Sequence, residues 1–226
     1  VKKIFELIEK YNVTHFGGAP IILNMITGAP EADQKKLKNK VYVLTAGAPP
    51  PSIIFKKMKD LGFEVMHVYG LTETYGHVTQ CAWNDEWNDF DEDKQNEIKA
   101  RQGVRYPNTE GVTVMEPETM KEVPKDGKTI GEIMIRGNIV MKGYFKDKAA
   151  TDKAMAGGWF HTGDLAVMHP DGYVKIQDRS KGISISGGEN MKSNESENTL
   201  AKQPAVSIAA VVEKKKKKWG EVPCAF

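Results

Sequence analysis

An aromatic ring, two hydroxyls and a carboxylate follow one another in residues 67–74, whose sequence is HVYGLTET. The hydroxyls of Thr72 and Thr74 can donate hydrogen bonds to phosphate oxygens, and Glu73 offers a hard oxygen ligand for the Mg²⁺ that accompanies a nucleoside triphosphate. The ring of Tyr69 can stack on a base. These residue types predict a nucleotide site, although the stretch on its own is equally compatible with a polar loop after a strand.

The elements around this stretch predict the edge of a sheet. Residues 63–68 have the pattern of a buried strand, and Gly70 lets the backbone turn after it and approach a ligand closely. Upstream, a strand at 41–44 runs into the small-residue loop 45–51, TAGAPPP, and a helix at 52–61 follows. Strand, loop, helix and strand form a βαβ unit, in which ligands bind at the carboxyl ends of the strands. Both loops are therefore expected to face one pocket.

Two helix and strand steps precede this unit. Apolar residues recur at helical spacing in residues 3–11, residues 13–16 have the pattern of a short strand, and Pro20 opens a helix over residues 20–27. The repeated alternation predicts a parallel or mixed sheet.

A second chemical signal is the segment GGWFHTGDL, residues 157–165. Asp164 follows Gly163 in what we expect to be a tight turn, where its carboxylate can accept two hydrogen bonds from vicinal ribose hydroxyls. The alternative is a turn residue that bonds its own backbone. The surrounding sequence consists of short β-rich runs separated by turns, which predicts an antiparallel β subdomain. Its strands are expected in residues 111–115, 129–136 and 172–176, with a short helix in residues 147–154.

A third signal is QDRSKGISISGGEN, residues 177–190, which follows the β-rich region and is interpreted as a hinge. Arg179 provides a fork of hydrogen-bond donors for ribose or phosphate. Gly187 and Gly188 leave room for the backbone to approach a ligand.

Two charged segments carry weaker signals. The acidic stretch 83–99 is expected to be an exposed loop and helix rather than a metal site. A helix at 192–203 and a strand at 205–212 precede the lysine run 214–218, for which a solvated turn is favoured over nuclear import or polyanion binding.

Composition places the chain among globular proteins, since 40% of its 226 residues are hydrophobic and 27% are charged. A formal charge of +2 is too small to indicate nucleic acid or an acidic membrane as a partner. Cys81 and Cys224 lie far apart in sequence, which favours a reducing compartment. There is no run of about 18 apolar residues, and the amphipathic N-terminal helix is unlike a signal peptide. We therefore expect an intracellular protein without a membrane span.

Taken together, TAGAPPP, VYGLTET, WFHTGD and DRSKGISISGGEN, in that order and with a β-rich insert between the second and third, resemble the acyl-adenylate-forming enzymes. This superfamily comprises acyl-CoA synthetases, adenylation domains and firefly-type luciferases. The resemblance covers nearly the whole chain, and the insert is most similar to plant and bacterial medium-chain fatty acyl, benzoate and cinnamate-type acyl-CoA ligases.

The expected architecture is α/β. It consists of part of a doubly wound sheet subdomain in residues 1–99, an antiparallel β-barrel-like subdomain in residues 100–177, and a hinge with the start of a small α+β C-terminal domain in residues 178–226.

The resemblance implies roles for individual residues. Thr72 would hold the phosphate and Glu73 would bind Mg²⁺, so these two are the implied catalytic residues. Asp178 would be the hinge of the C-terminal domain. The residues implied to contact ATP or AMP are Gly47, Ala48, Pro49, Tyr69, Gly70, Thr72, Asp164 and Arg179.

Two further sets of residues follow from the resemblance. Gly187 and Gly188 would lie along the pantetheine arm of CoA. Part of the acyl pocket would be formed by His15, Phe16, Gly17 and Gly18.

The implied reaction activates a carboxylic acid, fatty or aromatic, with ATP and transfers the acyl group to CoA in the cytoplasm or a peroxisome. The family's phosphate loop with its Lys is expected before residue 1 and its catalytic Lys after residue 226, so we expect this chain alone not to complete adenylation. Gly182 stands where the family usually has an acid, and the segment 191–200 replaces a more apolar start of a helix.

Two alternatives stay open. The chain can be a noncatalytic nucleotide-binding or interacting fragment, or part of an adenylation domain that loads a carrier protein. ATP–pyrophosphate exchange distinguishes an enzyme from a binder, and CoA dependence distinguishes the two enzymes. The sequence leaves the acyl substrate and the oligomeric state open.

Overall fold

The computed structural model describes residues 1–47, 50–179, 183–186, 189–201, 203, 205–206, 209–216 and 220–226. The chain divides into two units, Val1–Tyr106 and Pro107–Phe226. The finer division into three segments stays a prediction.

The first unit contains a mixed five-stranded sheet with the strand order β1-β2-β3-β4-β5. The first three strands are parallel, and the last three are antiparallel, which confirms the predicted mixed α/β architecture. The elements of this unit are α1 (Lys2–Tyr11), β1 (His15–Gly17), α2 (Pro20–Thr27), β2 (Val41–Thr45), α3 (Ser52–Asp60), β3 (Phe63–Leu71), β4 (Gly76–Gln80), α4 (Glu92–Lys99) and β5 (Val104–Arg105).

The core of the first unit lies between helices α1–α3 and one face of the sheet. Along β2, Val41 and Val43 are buried, whereas Tyr42 and Leu44 are exposed. Alternate side chains of a strand point to opposite faces, so the helices cover the face that carries the two valines. The buried residues of this core are Phe5, Ile8, Leu23, Ile26, Val41, Val43, Ile54, Phe55, Met58, Phe63 and Val65.

Strand β3 is longer than the predicted 63–68. It continues to Leu71 because β4 pairs with its end in antiparallel orientation. The register between these two strands shifts at Tyr69 and Gly70. The chain therefore turns after Leu71, in the short 3₁₀ turn Thr72–Thr74, and not at Gly70 as predicted.

The acidic stretch 83–99 is less solvated than predicted. Its carboxylates lie at the surface of the unit, where Glu92 forms an ion pair with Lys56 at 2.7 Å. Trp87 and Ile98 of the same stretch are buried. The segment therefore also packs against the unit. In the part of the chain that the structure describes, no group of three or more His, Cys, Asp or Glu side chains is arranged to hold a metal ion.

The second unit contains two sheets. The larger has the strand order β10-β9-β8-β6-β7, with antiparallel pairing throughout, and the smaller has the order β12-β11-β14-β13. The elements are β6 (Gly111–Glu116), β7 (Lys121–Glu122), β8 (Ile130–Arg136), α5 (Lys148–Ala154), β9 (Phe160–Met168), β10 (Val174–Arg179), β11 (Ile183–Ser186), β12 (Glu189–Lys192), α6 (Ser193–Ala201), β13 (Val211–Lys216) and β14 (Gly220–Ala225).

In the described part of the chain, the predicted antiparallel β subdomain is an open sheet and not a closed barrel. Closure requires the two edge strands to pair with each other, and β7 at one edge is only two residues long. The antiparallel character itself is confirmed.

The end of the chain differs from the prediction in two places. The strand expected at 205–212 begins only at Val211. Lys214, Lys215 and Lys216 belong to β13 instead of a solvated turn, because β14 offers them a pairing partner. The remaining lysines of the run lie outside the described residues. No helix in the described part of the chain is long and apolar enough to cross a bilayer.

One buried side chain predicts how stability depends on pH. His67 on β3 is 1% exposed, and its Nδ1 lies 3.2 Å from the carbonyl oxygen of Ala100. Burial lowers the pKa of His67 to about 4 from 6.5. The unfolded chain then binds a proton that the folded chain excludes. His67 is neutral in both states above pH 6.5, and stability falls as the pH drops from 6.5 to 4.

We expect this single group to cost roughly 3 kcal/mol of unfolding free energy across that interval. Urea unfolding of the wild type and His67→Gln between pH 4 and pH 8 measures it, since the difference between the two curves removes the other titrating groups. The stability of the variant should depend less steeply on pH below 6.5. Parallel curves would show that His67 does not titrate in this way.

Candidate functional site

The turn after β3 uses one of its two threonines for its own structure. Thr74 is 1% exposed, and its Oγ1 accepts a hydrogen bond from the backbone nitrogen of Leu71 at 3.0 Å. The same hydroxyl lies 3.0 Å from the carbonyl oxygen of Leu71 and 2.9 Å from that of Gly76. The proposal that Thr74 donates to phosphate is therefore wrong, because its hydroxyl closes the turn.

Thr72 and Glu73, on the same turn, are less buried than Thr74. Thr72 is exposed and Glu73 is half-buried. The next residue, Tyr75, has a backbone φ of 54° and is 93% exposed. The turn thus carries a threonine and a glutamate at adjacent positions, and their side chains are of the types that can meet a phosphate and a hard cation.

Tyr69 and Gly70 precede the turn and are more enclosed than the sequence suggested. Tyr69 is 5% exposed. A Cβ on Gly70 would lie 2.0 Å from the carbonyl oxygen of Gly76 and 2.6 Å from the Cα of His77. Gly70 is thus required by the close approach of strand β4. The contact with a ligand that we expected from this glycine is not needed to explain it.

The loop after β2 begins at the same end of the sheet. Gly47 has a φ of 105°, and a Cβ there would meet none of the described residues within 4 Å. Because β2 and β3 are parallel neighbours, this loop and the 72–74 turn leave the same edge of the sheet, as predicted. Ala48 and Pro49, the other two members of the predicted adenine loop, lie outside the described residues.

Thr45, at the end of β2, is a residue that sequence reasoning missed. It is fully buried, and its Oγ1 has no hydrogen-bond partner among the described residues. Its register partner on β3 is His67. The sequence shows a threonine next to a glycine-containing loop, but a threonine there is too common to single out, and its burial depends on the fold.

The four residues predicted for the acyl pocket lie on and just after the edge strand β1. The exposed ring of His15 stacks on Tyr42 at 4.9 Å, whereas Phe16 packs edge-on against Phe63 at 6.0 Å. Neighbouring side chains of a strand point to opposite faces, so His15 and Phe16 do not line one wall. Gly17 is exposed and Gly18 half-buried, and the pocket assignment stays a prediction.

In the second unit, Asp164 lies inside strand β9 and not in a tight turn. Gly163 before it has a φ of 73°, and the register of β9 against β8 shifts at this point. The residue therefore belongs to a bulge, which explains the turn-like Gly-Asp sequence. Asp164 is only 5% exposed.

The structure brings together two residues that were both predicted to contact ribose. Asp164 on β9 and Arg179 on β10 are register partners in the antiparallel ladder. Asp178 pairs with Leu165 beside them. The described residues of the segment interpreted as a hinge belong to strands, since β10 ends at Arg179 and β11 and β12 follow. The role of Asp178 as a hinge stays a prediction, and Gly187 and Gly188 lie outside the described residues.

Comparison with known proteins assigns the chain. A model of the family described as AMP-binding enzyme matches residues 1–145, which is more than half of the chain. The chain belongs to this family. AMP-binding enzymes with a similar sequence include acetate–CoA ligase CCL3 of Humulus lupulus, which is 54% identical over 227 residues. Peroxisomal benzoate–CoA ligase of Arabidopsis thaliana is 49% identical over 224 residues.

The matches cover 100% and 99% of this chain but only 40% and 39% of those two proteins. The chain thus spans about two fifths of the length of the curated relatives it matches.

Solved structures of adenylate-forming enzymes share the fold. The o-succinylbenzoate CoA synthetase of Bacillus subtilis, in complex with ATP and magnesium ion, has a TM-score of 0.78 at 26% identity. ATP-bound MatB from Rhodopseudomonas palustris has a TM-score of 0.80 at 28% identity. Each likeness covers 99% of this chain, and 43% and 42% of those chains, respectively.

The packing around Gly70 generates a stability prediction. Gly70→Ala should destabilise the protein by at least about 2 kcal/mol, because the added methyl group meets backbone atoms that cannot move without breaking the ladder. Gly17→Ala is the matched control in the same sheet, since among the described residues its Cβ would meet only the carbonyl oxygen of Leu44, at 3.8 Å. Thermal unfolding of the two variants measures the difference. Equal melting temperatures would contradict the assigned close approach.

Proposed function

We propose that the protein to which this chain belongs is an AMP-forming acyl-CoA synthetase. It activates a carboxylic acid with ATP and transfers the acyl group to CoA. The observation that carries the proposal is the similarity along the whole chain to ligases named for acetate–CoA and benzoate–CoA formation. A fatty or aromatic acid is the corresponding substrate class. The peroxisomal name of one of these relatives supports a location in a peroxisome, and the cytoplasm is the alternative location.

The reaction has two steps, which need only the carboxylic acid, ATP and CoA as reactants. In the first, a carboxylate oxygen of the acid forms a bond to the α-phosphorus of ATP, and the bond to the β-phosphate oxygen breaks, which releases pyrophosphate. In the second, the thiolate sulfur of CoA attacks the acyl carbon of acyl-AMP, and AMP leaves with the electrons of the broken C–O bond. The thiol proton passes to solvent.

The residues of this chain would bind and orient the nucleotide. The exposed hydroxyl of Thr72 would donate to the phosphate, with Gly47, Ala48, Pro49 and Tyr69 along the adenine. Asp164 would accept hydrogen bonds from the ribose hydroxyls. Its register pairing with Arg179 supports a shared role in holding that sugar.

The residues of the 72–74 turn also fit a magnesium ion. Mg²⁺ is commonly held by one or two protein carboxylates together with substrate phosphates and water, and Glu73 supplies such a carboxylate beside the hydroxyl of Thr72. When bound, the ion would neutralise charge on the phosphates.

The remaining assignments concern the acyl group and the thiol. We propose that Gly187 and Gly188 lie along the path of CoA and that Asp178 is the hinge of a C-terminal domain that begins at residue 178. An adenylation domain that loads a carrier protein is the enzymatic rival. Incubation of the full-length protein with ATP, CoA and acetate or benzoate decides between them, since only a CoA ligase releases free acyl-CoA.

The carboxylate of Glu73 generates a prediction about metal dependence. Glu73→Gln keeps the size of the side chain and one acceptor oxygen but removes the charge. The apparent affinity for Mg²⁺ should fall, and adenylation should slow about tenfold or more, with partial recovery at high Mg²⁺. Pyrophosphate exchange measured against Mg²⁺ concentration tests this in the full-length protein. Thr74→Ser is the control, because it keeps the turn hydroxyl. Identical Mg²⁺ curves for wild type and Glu73→Gln would exclude the ligand role.

The carboxylate of Asp164 generates a prediction about nucleotide binding. Asp164→Ala should weaken AMP binding by roughly 1.5–3 kcal/mol, because charge-assisted hydrogen bonds to the ribose are lost. Calorimetric titration of the full-length protein with AMP measures the loss. Binding of the acid alone should stay the same. An unchanged dissociation constant for AMP would refute the ribose assignment.

A further inference from the structure

Strand β9 contains extra residues where it pairs with β8. Glu132 pairs with Leu165, and two residues further along β8, Met134 pairs with His161. Three residues of β9, 162–164, therefore face the single residue Ile133 of β8. A sheet ladder cannot bond every backbone group of such a bulge, and each buried group left unbonded is costly.

Two side chains accept hydrogen bonds from the backbone nitrogens of Gly163 and Asp164 in this bulge. Oε1 of Glu132 accepts a hydrogen bond from the nitrogen of Gly163 at 2.6 Å. Oγ1 of Thr162 accepts one from the nitrogen of Asp164 at 3.1 Å and donates to the carbonyl oxygen of Ile133 at 2.8 Å. Glu132 is thus bonded directly to the residue before Asp164.

The second oxygen of Glu132 is also engaged. Oε2 lies 3.2 Å from Nδ1 of His161, and Nε2 of the same ring lies 3.2 Å from the carbonyl oxygen of Ala156. Glu132 is 8% exposed, so this pair is largely shielded from water. Because the pair is largely shielded, removing either partner should destabilise the fold more than removing a partner of a surface pair would. The network therefore connects both sides of the bulge to β8.

The geometry of this network fits a carboxylate better than an amide. A carboxylate has two acceptor oxygens and can serve Gly163 and His161 together, whereas glutamine has one acceptor oxygen and one donor nitrogen. Glutamine can keep the bond to Gly163. It would then turn its NH₂ group toward His161, which accepts it only when Nδ1 carries no proton.

We propose that Glu132 is a positioning residue for nucleotide binding. It fixes the bulge through Gly163 and His161, and so sets where the carboxylate of Asp164 meets the ribose. The inference rests on the proposed function, because it requires that Asp164 binds the sugar. Glu132 itself touches no substrate in this scheme, and its effect is transmitted through the backbone of residues 162–164.

The test compares two nucleotides in the full-length protein, AMP and 2′,3′-dideoxyadenosine 5′-monophosphate, which lacks the ribose hydroxyls. The wild type should prefer AMP by about tenfold or more. Asp164→Ala should remove the preference, and Glu132→Ala should reduce it at least about threefold. Glu132→Gln should be intermediate and also serves if the alanine variant does not fold. Amide hydrogen exchange of residues 163 and 164 should be faster in both Glu132 variants.

Asp126→Ala is the matched control. Asp126 is another carboxylate of the second unit, and it accepts hydrogen bonds from the nitrogens of Lys128 and Thr129 and from the Thr129 hydroxyl, away from the bulge. It should affect thermal stability but neither the nucleotide preference nor the exchange of residues 163 and 164.

The outcomes separate the two claims. If Asp164→Ala removes the preference while the Glu132 variants keep it, the positioning role is wrong and the ribose assignment stands. If the Glu132 variants lower the preference only as much as Asp126→Ala does, the effect is general destabilisation and the positioning role is again wrong. If Asp164→Ala keeps the preference, the ribose assignment and the inference both fail.

Discussion

The demand that buried backbone groups be hydrogen-bonded shapes both candidate regions of this chain. Each region lies where a strand ladder is irregular or ends. In the first unit, the nitrogen of Leu71 is bonded by Thr74 as the chain leaves β3. In the second, the nitrogens of Gly163 and Asp164 are bonded by Glu132 and Thr162. Side chains that resemble ligand-binding groups are thus partly occupied with holding their own backbone.

Some of these side chains bond the backbone and others stay exposed, so residues that look equivalent in the sequence differ in the structure. Thr72 and Thr74 are two positions apart and chemically identical, yet one is exposed and the other is bonded inside the turn. The structural threonine fixes the turn on which the exposed threonine and Glu73 stand. A turn that is already held in place loses less conformational entropy when a ligand binds.

The alternation of helices and strands in the first unit could be predicted, because its strands have the β-branched, alternately buried pattern and Pro20 opens its helix. The end of β3 could not, since it depends on pairing with residues 76–80, whose sequence GHVTQ is a weak strand signal. Similarly, Gly163 and Asp164 have the composition of a turn, and only the register against β8 shows a bulge. Local chemistry indicated where function is expected, whereas the reasons for Gly70 and Gly163 lay in how their strands pair with β4 and β8.

The lysines of β13 have a consequence for the behaviour of the chain among its own copies. In the described sheet, β13 is an edge strand, and such an edge offers backbone groups to any other extended chain. Parallel, in-register pairing of two copies along this edge would bring the exposed Lys214 of one molecule next to Lys214 of the other. Like charges held one strand spacing apart, about 5 Å, repel each other. Lys214 therefore disfavours in-register pairing of this edge, most strongly at low ionic strength, where the repulsion is least screened.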